Sequence, residues 1–153
     1  MSVRISYAKA SPDAYRAMLA LEKVVDQNGL EVSLLDLIKL RASQMNGCAY
    51  CIDMHWKDAQ ARGESGQRLY SLDAWRETTF YTERERAALA WTEAVTLIAA
   101  THVPDEIYNQ AIQHFSEQEL VNLTLAIIAI NGWNRLLISF RAEAGKYQST
   151  VQH

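Results

Sequence analysis

Turn-forming residues are scarce: two prolines and six glycines in 153 residues leave the chain few places to reverse. No stretch alternates apolar and polar residues and closes on a hairpin dipeptide, so strands lack their usual signal. These absences argue against a β-rich fold and favour helices joined by short loops. Cysteine is as scarce, at two residues, which excludes a disulfide framework; a chain of this length closes a core without one. There is no lysine and arginine block: 15 basic and 18 acidic residues interleave to a net charge of -3. Nucleic acid is therefore not an expected partner. Met1 to Ala10 show no long apolar core and no cleavage-like site, hence no sign of secretion. The most apolar run, Leu120 to Ile130, is too short to span a bilayer. The expected setting is the cytoplasm, with no membrane partner.

What is present reads as helix. Apolar residues make up 49% and charged residues 22%, the range of a globular protein. Ser11-Pro12-Asp13 reads as an N-cap, a first-turn proline and a dipole-matched acid, opening a helix that stops before Gly29. Ser33-Leu34-Leu35-Asp36 has the spacing of a capping box, and its helix runs to a left-handed stop at Asn46-Gly47. A third helix starts around Cys48 to Cys51 and ends near Gly63. The segment from Gly63 to Tyr81 is read as a short helical crossover whose aromatics, Trp75, Phe80 and Tyr81, pack inward or wall the approach to the cysteines. Thr82-Glu83-Arg84-Glu85 and Ser116-Glu117-Gln118-Glu119 are full capping boxes, and Pro104 opens a helix between them. The last helix, from Leu120 to Phe140 or Gly145, is apolar on most faces, which suits a central helix or a subunit interface. The expected fold is all-α: a single domain over residues 1–153, a bundle of about six to eight helices that associates as a homo-oligomer.

Chemistry concentrates in Ser43-Gln44-Met45-Asn46-Gly47-Cys48-Ala49-Tyr50-Cys51-Ile52-Asp53-Met54-His55. Both cysteines of the chain lie here, three residues apart, and His55 follows four residues after Cys51. On a helix beginning near Cys51, Cys51 and His55 stack one turn apart on one face. Cys48 at the helix start reaches Cys51 to close the small ring of a C-x-x-C disulfide. Free N–H groups and the dipole of the first helical turn stabilise a thiolate. The segment thus supplies a nucleophile, a second thiol to resolve it, and a base. His55 lies best to activate Cys51, whereas the helix dipole favours Cys48, so the order of attack stays open at this level. Three plainer readings compete. The cysteines could be small buried hydrophobes. They could bind zinc with His55, with Asp36 or water completing the shell, although no second C-x-x-C knuckle exists. They could be thioredoxin-like, which needs a βαβ context that the chain lacks.

The run from Lys39 to His55, within Leu34 to Arg62, resembles the core of the alkylhydroperoxidase D-like proteins of the carboxymuconolactone decarboxylase superfamily. Looser likeness continues through Glu83 to Thr96 and Asn131 to Arg141. The resemblance implies an all-helical fold, no tightly bound cofactor, a hydroperoxide substrate, an external dithiol reductant and assembly as a trimer or hexamer. It also implies roles. Asp36, twelve positions before Cys48, relays protons by way of water through His55 to Cys51. Cys51 attacks the peroxide, and Cys48 resolves the resulting sulfenic acid to a disulfide. The best-characterised members have Glu in place of Asp36 and His in place of Tyr50, so this relay is shorter by one carbon and one imidazole. A lactone decarboxylase, a redox sensor and a zinc-stabilised binding module are the alternatives. His102, His114 and His153 read as surface or helix-end groups, and Asn131, Trp133 and Asn134 as a polar helix contact in the last helix.

Overall fold

In a computed structural model, which describes residues 2–151, nine α-helices and one 3-10 segment follow one another, with no strand among the described residues. They are α1 (Tyr7–Ala10), α2 (Pro12–Asp26), α3 (Val32–Asn46), α4 (Ala49–Ala61), α5 (Gly66–Tyr70), the 3-10 segment (Leu72–Glu77), α6 (Glu83–Thr96), α7 (Ile98–Thr101), α8 (Asp105–Ala111) and α9 (Glu117–Phe140). The all-α expectation holds. The number of elements exceeds it because α1 and α7 are four-residue turns, too short to leave a periodic pattern in the sequence.

The start and stop signals mostly fall where physical chemistry places them. Thr82 and Ser116 accept from the N–H groups of Glu85 and Glu119, whose carboxylates return the bond to the cap N–H; both capping boxes are complete. Pro12 occupies the first turn of α2 and Gly29, at φ 88°, follows its end. Ser33 does not act as a cap. Helix α3 already begins at Val32, behind Glu31, so Asp36 lies beyond the first turn and its carboxylate goes to Arg62 instead.

The hub is α3, which packs against α4, α6 and α9. From Leu34 to Leu40 every residue is buried, Asp36 and Lys39 included. One core lies between α2, α3, α6 and α9, around Ile38, Ala88, Leu123 and Ile127. A second lies between α3, α4, α5 and α6, around Leu37, Leu40, Leu69 and Leu72. Trp75 and Tyr81 join this second core, as expected, but Phe80 is exposed. None of the three belongs to the apolar cluster around the cysteines.

Helix α9 is 24 residues long and, by length and composition, long and apolar enough to cross a membrane; it extends well past the run from Leu120 to Ile130. It packs against α2, α3, α4 and α6, burying Leu123, Ala126, Ile127 and Ile130, which is the arrangement of a core helix. Gly132 faces α2: a Cβ there would stand 3.0 Å from the flexible end of Met18, at Cε.

The two capping boxes carry separable shares of stability. Thr82→Ala and Ser116→Ala should each cost about 1 kcal/mol, seen in urea unfolding as a lowered midpoint with an unchanged slope.

Candidate active site

Helix α3 ends in a left-handed residue, Gly47, at φ 68°. The Gly47 N–H donates to the Gln44 carbonyl and the Cys48 N–H to the Ser43 carbonyl at 3.0 Å, the paired bonds of a Schellman stop. One residue later Cys48 is the N-cap of α4, and its Sγ accepts from the Cys51 N–H at 3.4 Å. The C-x-x-C pair therefore straddles the first turn of α4, and the two cysteines are joined in a disulfide with Cα atoms 5.3 Å apart.

The turn is anchored from α9. Asn46 Nδ2 donates to Asn131 Oδ1 at 3.0 Å and to Asn134 Oδ1 at 2.8 Å. Asn134 Nδ2 donates to Ser43 Oγ, which in turn donates to the Lys39 carbonyl. The polar interruption of α9 is thus a helix contact, as its sequence suggested. Buried polar groups need partners, and here each partner also holds the cysteine turn.

A cavity of about 310 Å³ opens beside α4. Asp36, Cys51 and His55 all line it, whereas Cys48 does not. Cys51 itself has no exposed surface in the disulfide form. Above it the cavity is walled by Tyr7, Tyr15, Leu19, Met54, Trp133 and Leu137, with Tyr15 edge-on to both Tyr7 and Trp133. These aromatic walls carry no sequence signal, because α1, α2 and α9 meet only in the folded chain.

The charged lining is paired. Asp36 Oδ1 accepts from Arg62 Nη1 at 2.7 Å, and burial still pushes the Asp36 carboxyl upward, against the pull of Arg62. Lys39 Nζ pairs with Glu22 and, at 3.4 Å, with Asp26. Glu22 also accepts from Trp133 Nε1 at 3.1 Å. Asp58 accepts from the hydroxyls of Tyr147 and Ser149, and the Tyr147 hydroxyl is pushed up to about 12 by burial and by Asp58. Sequence reasoning missed Lys39, Glu22 and Arg62. A lysine and an aspartate three apart within an otherwise apolar helix are the one local sign that α3 turns charge inward.

His55 is buried and pushed down to about 3, chiefly by burial and then by the charges of Lys39 and Arg62. It is a neutral imidazole. Asp36 was expected to orient and charge it; in the disulfide form Asp36 engages Arg62, and no hydrogen bond joins it to His55. The two still line one cavity. His102 is an exposed cap of α7 and His114 is half-buried near the end of α8, both remote from the cavity; His153 lies outside the described residues.

The family model for the carboxymuconolactone decarboxylase family matches residues 12–94. The uncharacterised protein YdfG of Bacillus subtilis (strain 168) is 46% identical over 139 residues, 91% of this chain and 95% of YdfG. A crystal structure of a protein of unknown function from Agrobacterium tumefaciens, provisionally assigned as the antioxidant defence protein AhpD, is 49% identical. It superposes with a TM-score of 0.93 over 95% of this chain and 100% of that one. An uncharacterised peroxidase-related protein from Ralstonia eutropha JMP134, described as an AhpD core, superposes at 0.79 over 91% of this chain and 74% of its own; at 18% identity the likeness concerns the fold alone. The chain belongs to the carboxymuconolactone decarboxylase family. Within it, the chain is an AhpD-like protein.

A neutral buried histidine makes the fold sensitive to acid. Unfolded, His55 protonates near 6.5; folded, only near 3. Between these values the unfolded chain binds more protons, so stability is lost as pH falls from about 6.5 toward 3. His55→Gln should remove this component. In urea unfolding at pH 7 and pH 4, the wild type should lose on the order of a few kcal/mol more than the variant.

Proposed function

We propose that this protein is a thiol peroxidase or disulfide oxidoreductase that reduces hydroperoxides through the Cys48–Cys51 couple. It uses no tightly bound cofactor and is returned to the dithiol state by an external dithiol. One observation carries the assignment of roles: Cys51 shares the cavity wall with His55, while Cys48 stands behind it at the N-cap of α4. In the reduced protein the Cys51 thiol gives its proton to the neutral imidazole of His55, and the thiolate attacks the terminal peroxide oxygen. The O–O bond breaks, Cys51 becomes a sulfenic acid, and the leaving alkoxide takes the proton and departs as the alcohol. Cys48 then displaces hydroxide from the Cys51 sulfur, water leaves, and the disulfide closes. Two thiols have been oxidised and one peroxide reduced. Asp36, through water, steadies the proton held on His55, and Arg62 steadies Asp36.

The family takes its name from a decarboxylase, but such a reaction has no need of a dithiol couple at the cavity wall. The provisional assignment of the Agrobacterium protein to antioxidant defence runs in the same direction as the peroxidase reading. A homo-oligomer, as a trimer or hexamer in the cytoplasm, completes the proposal. Val121 and Ile128 of α9 and Tyr108 and Ile112 beside them lie exposed along one apolar groove, a surface of the kind that a subunit contact covers.

The two cysteines should separate cleanly by mutation. Cys51→Ser should abolish peroxide consumption even in a single turnover. Cys48→Ser should consume about one equivalent and stall as a sulfenic acid that excess oxidant drives to the sulfinic state. A dimedone-type probe should label Cys51 in Cys48→Ser. Label on Cys48 in Cys51→Ser, with none on Cys51 in Cys48→Ser, would reverse the order of attack.

A further inference from the structure

We propose that the Glu22–Lys39 ion pair sets how readily Cys51 ionises after reduction, with Lys39 as the positioning cation and Glu22 as its counterweight. The proposal rests on Cys51 being the redox-active thiol of the cavity. Lys39 lies on the buried hub helix, only 7% exposed, and lines the same cavity as Cys51 and His55. Taking an ammonium out of water is costly unless it is paired, and apolar substitutes for a buried pair are often no less stable. Stability alone therefore does not explain a lysine at this position.

The acidic and basic side chains facing the cavity, the pair included, come from three helices. Helix α2 contributes Glu22 and Asp26, α3 contributes Asp36 and Lys39, and α4 contributes His55, Asp58 and Arg62. Tyr7, Tyr15 and Tyr50 also face it, and α9 contributes only Trp133 and Leu137. Arg62 is bound to Asp36, and Asp58 is engaged by Tyr147 and Ser149. His55 is neutral until it takes the thiol proton, so it adds no positive charge beforehand. Lys39 is left as the inward cation whose partner is adjustable. Glu22 divides its carboxylate between Lys39 and Trp133 Nε1, and Asp26, on the more exposed side, is a weaker second partner. A nearby cation lowers a thiol's pKa, and a competing anion weakens that effect. The two members of the pair must then act on Cys51 with opposite sign.

That opposition supplies the test. In the full-length Cys48→Ser protein, where one thiol is read, the rate of alkylation by iodoacetamide against pH gives the ionisation of Cys51 without any peroxide. Lys39→Met should raise the thiol pKa by about one unit and slow alkylation at pH 7 by roughly five- to tenfold. Glu22→Gln, which keeps an acceptor for Trp133, should shift the pKa downward, and Lys39→Arg should stay near the parent. A Lys39→Met protein with an unmoved profile, or one that moves in the same direction as Glu22→Gln, overturns the proposal; so does a Lys39→Arg shift as large as that of Lys39→Met. Should Lys39→Met not fold, Glu22→Gln decides alone, since an absent downward shift is sufficient to reject the pair's role. Peroxide turnover does not enter, so a failure here and a failure of the peroxidase reading are distinguishable.

Discussion

Gly47 sits at φ 68°, a conformation that costs a residue with a Cβ roughly 1–2 kcal/mol, and the position of the Cys48–Cys51 turn follows from it. The turn stops α3 and starts α4 with only two residues, Gly47 and Cys48, outside both helices. A longer loop would leave Cys48 free to wander from the first turn of α4. Here the Ser43 carbonyl holds its N–H, and Asn46 is clamped to Asn131 and Asn134 on α9. Cys51 falls on the third residue of α4 and His55 one turn beyond, so both face the cavity by helical geometry alone. The hub helix thus fixes both the core and the dithiol, and a change in its last turn would be felt by each.

The second constraint is electrostatic. A cavity walled by tyrosines and a tryptophan holds most of its charges in pairs, Asp36 with Arg62 and Lys39 with Glu22 and Asp26, while Asp58 is held by the hydroxyls of Tyr147 and Ser149. His55, with no carboxylate bonded to it, gives up its charge instead. A neutral imidazole can receive a thiol proton, and the same low dielectric that neutralises it makes any charge formed on sulfur sensitive to its neighbours. On the proposed peroxidase reading, the walls would serve the apolar part of a substrate and the paired charges the proton.

Much of this was legible in the sequence, where local chemistry decides. Thr82 and Ser116 announce their helices by capping boxes that need no tertiary partner, and Gly47 announces a stop for the same reason. The spacing of Cys48, Cys51 and His55 fixes their common face once a helix starts there. Signals failed where folding overrode them. Ser33 has the pattern of a cap, but α3 begins at Val32, two residues before a Ser33 cap would start it, and Arg62 claims Asp36. Phe80 looks like core and lies outside, since Trp75 and Tyr81 already fill the space between α5 and α6. The Glu22–Lys39 pair and the wall made by Tyr7, Tyr15 and Trp133 join residues from α1, α2, α3 and α9. No window of sequence contains them together.

The central claim is that one hydroperoxide is reduced for each Cys48–Cys51 disulfide formed. Mixing the reduced protein with one equivalent of an organic hydroperoxide, then quenching at intervals, allows peroxide and free thiols to be counted in the same samples. Two thiols should vanish for each peroxide consumed, on one time course, with the intramolecular disulfide as the product in the mass spectrum. Peroxide loss no faster than with free cysteine, or thiol loss without that disulfide, would contradict it.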